Sequence, residues 1–351
     1  MKYRTVGNTG LSISEVGFGT GGTAGLMING SHEEQLQAVE RAIELGINYF
    51  DESPDYGDGV SESNLGRILA ELGVRPVITT KVEVRNENLG DIAGHVERSV
   101  EASLKRLGVD YVDFVQIHNG PVASKPDLQG RAYNILWIED YLRPGGAIEG
   151  LQRIVRDGKT RFVGFICRGN DGPQVRQLID TGEFQLINLV YTLINPSAGM
   201  PMPRGLQNDA DFGDVISYAH SKGVGTAVYS PLAGGVLTDN MVSGGEPHPL
   251  SGAARRAAAS DRRRAGAGRG AAFRFLSVPG RHTLAQAAAR FILMHPGVTT
   301  VLGGFSDVAQ LDEAVAAVDL DPLSEESLAR IEMVWRANLG QRATEPAART
   351  T

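Results

Sequence analysis

Four side chains are of types that together move a proton: Asp51, Tyr56, Lys81 and His118. Asp51 closes the run Asn48-Tyr49-Phe50, and Tyr56 follows a turn at Ser53 and Pro54, with Gly57 behind it to free the backbone. Lys81 ends the run that starts at Val77, and His118 ends the run Val112–Ile117. A phenol with its reference pKa of about 10 is a poor acid or base at neutral pH unless its surroundings shift it. A nearby ammonium favours the phenolate, and an aspartate holds that ammonium in place. Each residue taken alone has a plainer reading, because an Asp in a turn or a Lys at a strand end is usually a solvated or capping group. Four of them at the ends of three consecutive apolar runs predict one proton-transfer site.

The elements that must position them are legible as a repeat. Short apolar runs fall at Glu15–Phe18, Asn48–Asp51, Val77–Lys81, Tyr111–His118, Phe162–Cys167, Leu186–Tyr191, Gly225–Tyr229 and Thr299–Leu302. Between and after them lie helix-period segments: His32–Leu45, Ser61–Leu72, Asp91–Leu107, Ala147–Asp157, Asp171–Thr181, Asp209–Lys222, Thr283–His295, Val308–Val318 and Glu325–Asn338. Asp91 and Ser61 are placed as N-caps, and Gly108 and Gly158 as stops. Eight strands alternating with helices predict a closed (β/α)8 TIM barrel, whose site lies at the carboxyl ends of the strands. Residues 2–13 read as a β-hairpin, turning at Gly7-Asn8-Thr9-Gly10, that plugs the bottom. We expect one barrel domain over residues 1–340 and a disordered tail over 341–351.

Long loops follow strands 4 and 7. The loop 119–146 carries Tyr133, Trp137 and Tyr141, candidates to wall a pocket. The loop of about 233–282 carries Arg255, Arg256, Arg262, Arg263, Arg264 and Arg269. It reads either as a weakly ordered insertion or as a lid whose arginines touch phosphates.

Composition narrows the class. The net charge of −7 gives no global reason to expect nucleic acid. One cysteine, Cys167, excludes an internal disulfide framework and suits a reducing compartment. No stretch approaches the ~18 apolar residues that cross a bilayer, and the start Met-Lys-Tyr-Arg-Thr-Val-Gly lacks the apolar run of a signal peptide. A cytoplasmic protein without a membrane or nucleic-acid partner is expected.

At these residues the sequence resembles the aldo-keto reductase family, over roughly Lys2 to Ala317. The segments that carry the resemblance are Tyr3–Leu11, Gly46–Asp51 with Tyr56-Gly57 and Ser61-Glu62, Ser103-Leu104 and Arg106-Leu107, Val109–Asp113, Gln116–His118 and Tyr229–Leu232. It implies a (β/α)8 barrel and a catalytic set of Asp51, Tyr56, Lys81 and His118. Hydride would pass between a nicotinamide cofactor, NADP or NAD, and the carbonyl or alcohol carbon of an aldehyde, ketone or sugar. Tyr56 would be the general acid or base, its pKa lowered by Lys81, with His118 orienting the carbonyl. The resemblance also implies cofactor contacts from Gly19, Thr20, Gly21, Asp51, Asn188, Tyr229, Ser230, Leu232, Gly304, Ser306, Gln310 and Glu313. Segments near Gly164-Phe165, Asp180–Phe184 and Asn195–Ala198 look most like the branch of aldose 1-dehydrogenases.

Departures from the family pattern are informative. Ile166-Cys167 replaces a usual Ser-Asn, Asn188 a usual Gln, Gln310 a usual Arg, and Ala314 a usual Asn. An uncharged site loses a charge-assisted grip on the adenosine 2′-phosphate, so NAD use is expected to be open to this chain. Three other readings compete with this one. Gly17–Gly22 matches the dinucleotide fingerprint Gly-x-Gly-x-x-Gly, but the next helix begins near His32 and Asp51 already belongs to the tetrad. A metal-dependent barrel hydrolase needs further ligands; the sequence has no His-x-His, and His32, His95, His220 and His295 fall on or beside helices, with His248 and His282 in or beside the second long loop. No metal is expected. A regulatory or channel-associated subunit that binds nucleotide without turnover is the third.

Overall fold

A computed structural model describes residues 1–126, 134–252 and 268–341. Its strands are β1 (Tyr3–Thr5), β2 (Ser12–Ser14), β3 (Val16–Gly19), β4 (Tyr49–Asp51), β5 (Val77–Val82), β6 (Val112–Ile117), β7 (Gly120–Val122), β8 (Ile135–Trp137), β9 (Thr160–Ile166), β10 (Leu186–Leu189), β11 (Gly225–Val228) and β12 (Thr300–Gly304). Eight of these close a parallel barrel in the order β3-β4-β5-β6-β9-β10-β11-β12, with β12 returning to β3. The (β/α)8 architecture read from the alternating pattern is therefore the fold.

The hairpin β1–β2 is antiparallel, with Arg4 opposite Ile13. Its Val6 and Ile13 are fully buried and pack with Tyr49, Phe114, Leu186, Ala227 and Leu302, which line the barrel floor. Gly7 makes the seal possible: at φ +45°, an added Cβ would stand 2.1 Å from the carbonyl oxygen of Gly223. Arg4 pins the plug by donating to Glu15 and to the carbonyls of Leu293, His295 and Val298.

Outside the barrel the helices bury one stripe each. Helix 92–107 buries Val96, Val100, Leu104 and Leu107, and ends at Gly108 with φ +68°. Asp91 caps it by accepting from the Gly94 amide. Ser61 does not cap its helix, which begins at Val60 behind Gly59; its hydroxyl is buried and donates to Glu52 instead. Helix formation near 209 is also delayed. Gly213 and Asp214 adopt φ of +64° and +56°, so the helix spans Val215–Ser221.

The first long loop is built rather than open. β7 and β8 pair in parallel and lead into a helix at Ile138–Leu142. Tyr141 is buried and donates to the Asn119 carbonyl, and Trp137 packs partly buried against the core, so neither walls the cleft described below. Tyr133, the arginines at 255, 256 and 262–264, and residues 342–351 of the expected tail lie outside the described residues. No helix among those described is long and apolar enough to cross a membrane.

Candidate active site

Strand register sets the floor of the site. Gly19 pairs with Asp51, Asp51 with Thr79, Lys81 with Gln116, and Asn188 with Ile166. Alternation turns Asp51, Lys81, Gln116 and Asn188 into the barrel, where they form a polar layer. The Lys81 ammonium donates to Asp51 Oδ1 at 2.5 Å and to the Glu52 carbonyl at 2.7 Å. Asn188 donates to Asp51 Oδ2 at 3.0 Å, and its own oxygen accepts from Gln116 at 2.9 Å.

Tyr56 comes to this layer from the turn after β4, held by its amide on the Ser53 carbonyl. Its hydroxyl is 3.4 Å from Lys81 Nζ. The ring lies 6.2 Å, centroid to centroid and edge-on, from that of His118. The four predicted side chains therefore meet at one mouth.

Charge states follow from burial and partners. Burial lowers the Lys81 pKa, but Asp51 and Tyr56 outweigh it, so the group stays an ammonium. For Tyr56 the balance runs the other way. Burial raises the phenol pKa, Lys81 pulls it down, and burial prevails. The expected lowering is thus present as a local effect of Lys81 but not as the net result, and Tyr56 is protonated at neutral pH.

His118 is pushed below its usual range by burial, with Lys81 and Arg168 adding to the effect and Asp55 opposing it. Its Nδ1 lies 3.2 Å from Asp55 Oδ2 and 3.3 Å from the Ser53 hydroxyl. Burial raises the Asp55 pKa, but its partners His118, Glu83 and Arg85 hold it well down. A carboxylate only accepts, so Nδ1 carries a proton and Nε2 is the nitrogen offered to the cleft. Glu83 moves upward, through burial and then Asp55. Asp55, Glu83 and His118 bring three atoms of metal-ligating type within 4.8 Å of one another. The Arg85 guanidinium already lies 2.8 Å from Asp55 and 3.6 Å from Glu83.

Beneath the site, Glu52 is pushed up to about 8 by burial and then by Glu62. Unfolding returns it to its ordinary value of 4.5, so the folded state binds the extra proton between these values. Stability from this group is full below 4.5 and declines as pH rises toward 8. Glu52→Gln should flatten the fall of the melting temperature across that window; calorimetry at several pH values measures it, and an unchanged slope would contradict the assignment.

The mouth opens into a cleft of about 560 Å³. Of the residues expected to touch a cofactor, Gly19, Gly21, Asp51, Asn188, Tyr229, Ser230, Leu232, Gly304, Ser306, Gln310 and Glu313 line it. Thr20 does not; it is buried, and both its amide and hydroxyl are spent on the Asp51 carbonyl. Arg168 lines the cleft, and Asp55 stands behind His118. Sequence reading assigned neither, although Arg168 follows a strand end as His118 does, and Asp55 adjoins Tyr56.

The model of the Aldo/keto reductase family matches residues 15–336. This chain belongs to that family. As an aldo/keto reductase it is an oxidoreductase of the nicotinamide-dependent class. It is 29% identical to an L-galactose dehydrogenase of Arabidopsis thaliana over 95% of this chain and 94% of that protein. It is also 29% identical to a putative voltage-gated potassium channel subunit beta of Schizosaccharomyces pombe, over 95% and 92% of the two chains. Among solved structures, the holo form of an aldo-keto reductase from Bacillus halodurans superposes with a TM-score of 0.71 at 23% identity, covering 96% of this chain and 97% of that one. That likeness concerns the fold.

Proposed function

We propose that this aldo/keto reductase interconverts a carbonyl and an alcohol on a small aldehyde, ketone or sugar, with Tyr56 as the proton donor and acceptor. The observation that carries the reading is the contact of the Tyr56 hydroxyl with Lys81 Nζ, itself held on Asp51, at the mouth of one cleft. A protonated phenol suits donation to a carbonyl oxygen. In reverse, the fixed ammonium stabilises the phenolate left after its proton departs. His118, its ring turned by Asp55, presents Nε2 as an acceptor when neutral and as a donor when doubly protonated. Similarity to an L-galactose dehydrogenase supports the sugar-oxidising branch.

The cleft suits a dinucleotide on its own features. It runs from the tetrad past Tyr229 and Ser230 to Gly304 and Ser306, before the helix Val308–Ala316. Gly19, Gly21, Gly22, Gly303 and Gly304 line it, and Gly21 faces the Tyr56 ring, so backbone is open to close approach there. Gly19, Gly21, Tyr229, Ser230 and Leu232 would hold the nicotinamide and pyrophosphate portions, and Gly304, Ser306, Gln310 and Glu313 the adenosine. A bound nicotinamide supplies or takes up the hydride.

The adenosine end favours NAD. Gln310 accepts from the Ser306 amide at 2.9 Å, and Glu313 accepts from the Thr283 hydroxyl at 2.6 Å. The Lys and Arg among the described cleft residues are Lys81 and Arg168, both at the catalytic end. Two arginines near the second long loop point elsewhere: Arg269 donates to Asn208 and Arg274 to the Val242 carbonyl. We expect the Michaelis constant for NADH to equal or undercut that for NADPH. A preference for NADPH of about 100-fold, the scale of a charge-assisted phosphate grip, would overturn this.

Similarity to a channel beta subunit supports a second reading, a nucleotide-binding regulatory subunit. Tight nucleotide binding with no turnover across a panel of aldehydes, ketones and sugars would favour it.

A further inference from the structure

Arg168 is held in the cleft beside His118 without a counter-ion. Its backbone is fixed where Asp171 accepts from the amides of Arg168 and Gly169. Its stem lies over Gly120, where an added Cβ would stand 2.5 Å from Arg168 Cγ. The terminal Nη2 donates to the His118 carbonyl at 2.7 Å, which ties the guanidinium to the loop that carries the imidazole. Nε is buried with no hydrogen-bond partner. Among the described residues no carboxylate forms an ion pair with it; Asp171 and Glu83 act on it only at longer range. The side chain nevertheless lines the cleft that holds Tyr56, Lys81 and His118.

The planar guanidinium suits a carboxylate, and with Nη2 on the His118 carbonyl and Nε buried, Nη1 is the nitrogen left to offer. An unpaired cation that is pre-oriented at the mouth of a reaction site lowers the ordering cost of binding an anion there. On that wall Ile166 offers no polar side-chain atom, and the Tyr229 hydroxyl beside Arg168 donates to the Cys167 carbonyl at 3.3 Å.

We propose that Arg168 is a specificity residue, reading a carboxylate carried by the substrate near its reacting carbonyl or hydroxyl carbon. This rests on the oxidoreductase reading of the same site. Arg168 binds the charged end of the substrate and Tyr56 serves the reacting oxygen; no bond to Arg168 forms or breaks.

The test compares 4-oxobutanoate with its methyl ester, which differ in one charge, on the full chain with each nucleotide. Wild type should favour the acid, and Arg168→Gln should lower the acid-to-ester ratio of kcat/KM by about 10- to 100-fold, chiefly through KM. Arg168→Lys should restore part of the ratio, since it returns the charge without the fork. Equal use of acid and ester by wild type, or an equal loss of both in the variant, would overturn the proposal and leave Arg168 as support for the His118 loop. If neither compound turns over, titration calorimetry with succinate on the nucleotide-loaded protein still decides. Succinate binding lost in Arg168→Gln upholds the assignment independently of the reductase reading, which the wider panel tests; equal or absent binding in both proteins rejects it.

Discussion

Tyr56→Phe is expected to lose turnover by on the order of 10²- to 10⁴-fold while nucleotide affinity stays within about threefold, the range for removing a general acid and base. The reason for the split lies in how the ring and its hydroxyl are used. The ring walls the cleft against Gly21, and phenylalanine keeps that wall. The hydroxyl meets Lys81 Nζ at 3.4 Å and carries the transferable proton, whereas the ring, with its centroid 5.1 Å from Nζ, is kept by phenylalanine. Single-turnover measurement of the hydride step, beside a fluorescence or calorimetric titration with NADH and NADPH, separates the two effects. A variant that keeps a tenth or more of wild-type turnover would remove Tyr56 from the reaction. Because burial keeps the phenol protonated, the reduction limb of the wild-type pH profile should show no ionisation of Tyr56 below its ordinary value near 10.

Lys81→Met should be costly twice over. Lys81 is 2% exposed and Asp51 4% exposed, so removing the ammonium strands a carboxylate inside the barrel. Breaking a buried pair in this way costs about 3–5 kcal/mol. At the specific entropy of unfolding, this corresponds to a fall in Tm of about 4–7 °C for a chain of this length. Asn188 continues to donate to Oδ2 and softens the loss, but Oδ1 is left without its partner. The same substitution removes the charge that stabilises a phenolate on Tyr56, so turnover should fall at least about tenfold, within the range lost when proton transfer is impaired. Adding Asp51→Asn should recover most of the Tm and none of the turnover. If the single variant is as stable as wild type, the pair is not the buried ion pair described. If the double variant regains activity, Lys81 acts on structure rather than on the phenol.

These two effects share a cause in the way the barrel is assembled. Asp51 and Lys81 lie on adjacent strands, and Asn188 reaches them from across the barrel at β10. Its amide lines the cleft while donating to Asp51 and accepting from Gln116. Asn188 thus links Asp51 to Gln116 in the floor of the site.

The sequence by itself determined the frame. Apolar runs alternating with helical stripes dictate a closed parallel barrel, and the carboxylate, ammonium and imidazole stand at run ends, where such a barrel gathers its side chains. The hairpin was equally legible, because its turn residues and flanking apolar residues are local signals. What the tertiary structure decided was partnership. Ser61 reads locally as a cap, yet it serves Glu52 across a gap of nine residues. Thr20 reads as a cofactor contact and is spent on the Asp51 carbonyl. Arg168 and Asp55 read as ordinary charges until the folded barrel puts one in the cleft and the other behind His118. The sign of the Tyr56 pKa shift belongs here too. The residue types name the charges that act on a phenol, but only the folded barrel sets its burial, and at this site burial outweighs the ammonium.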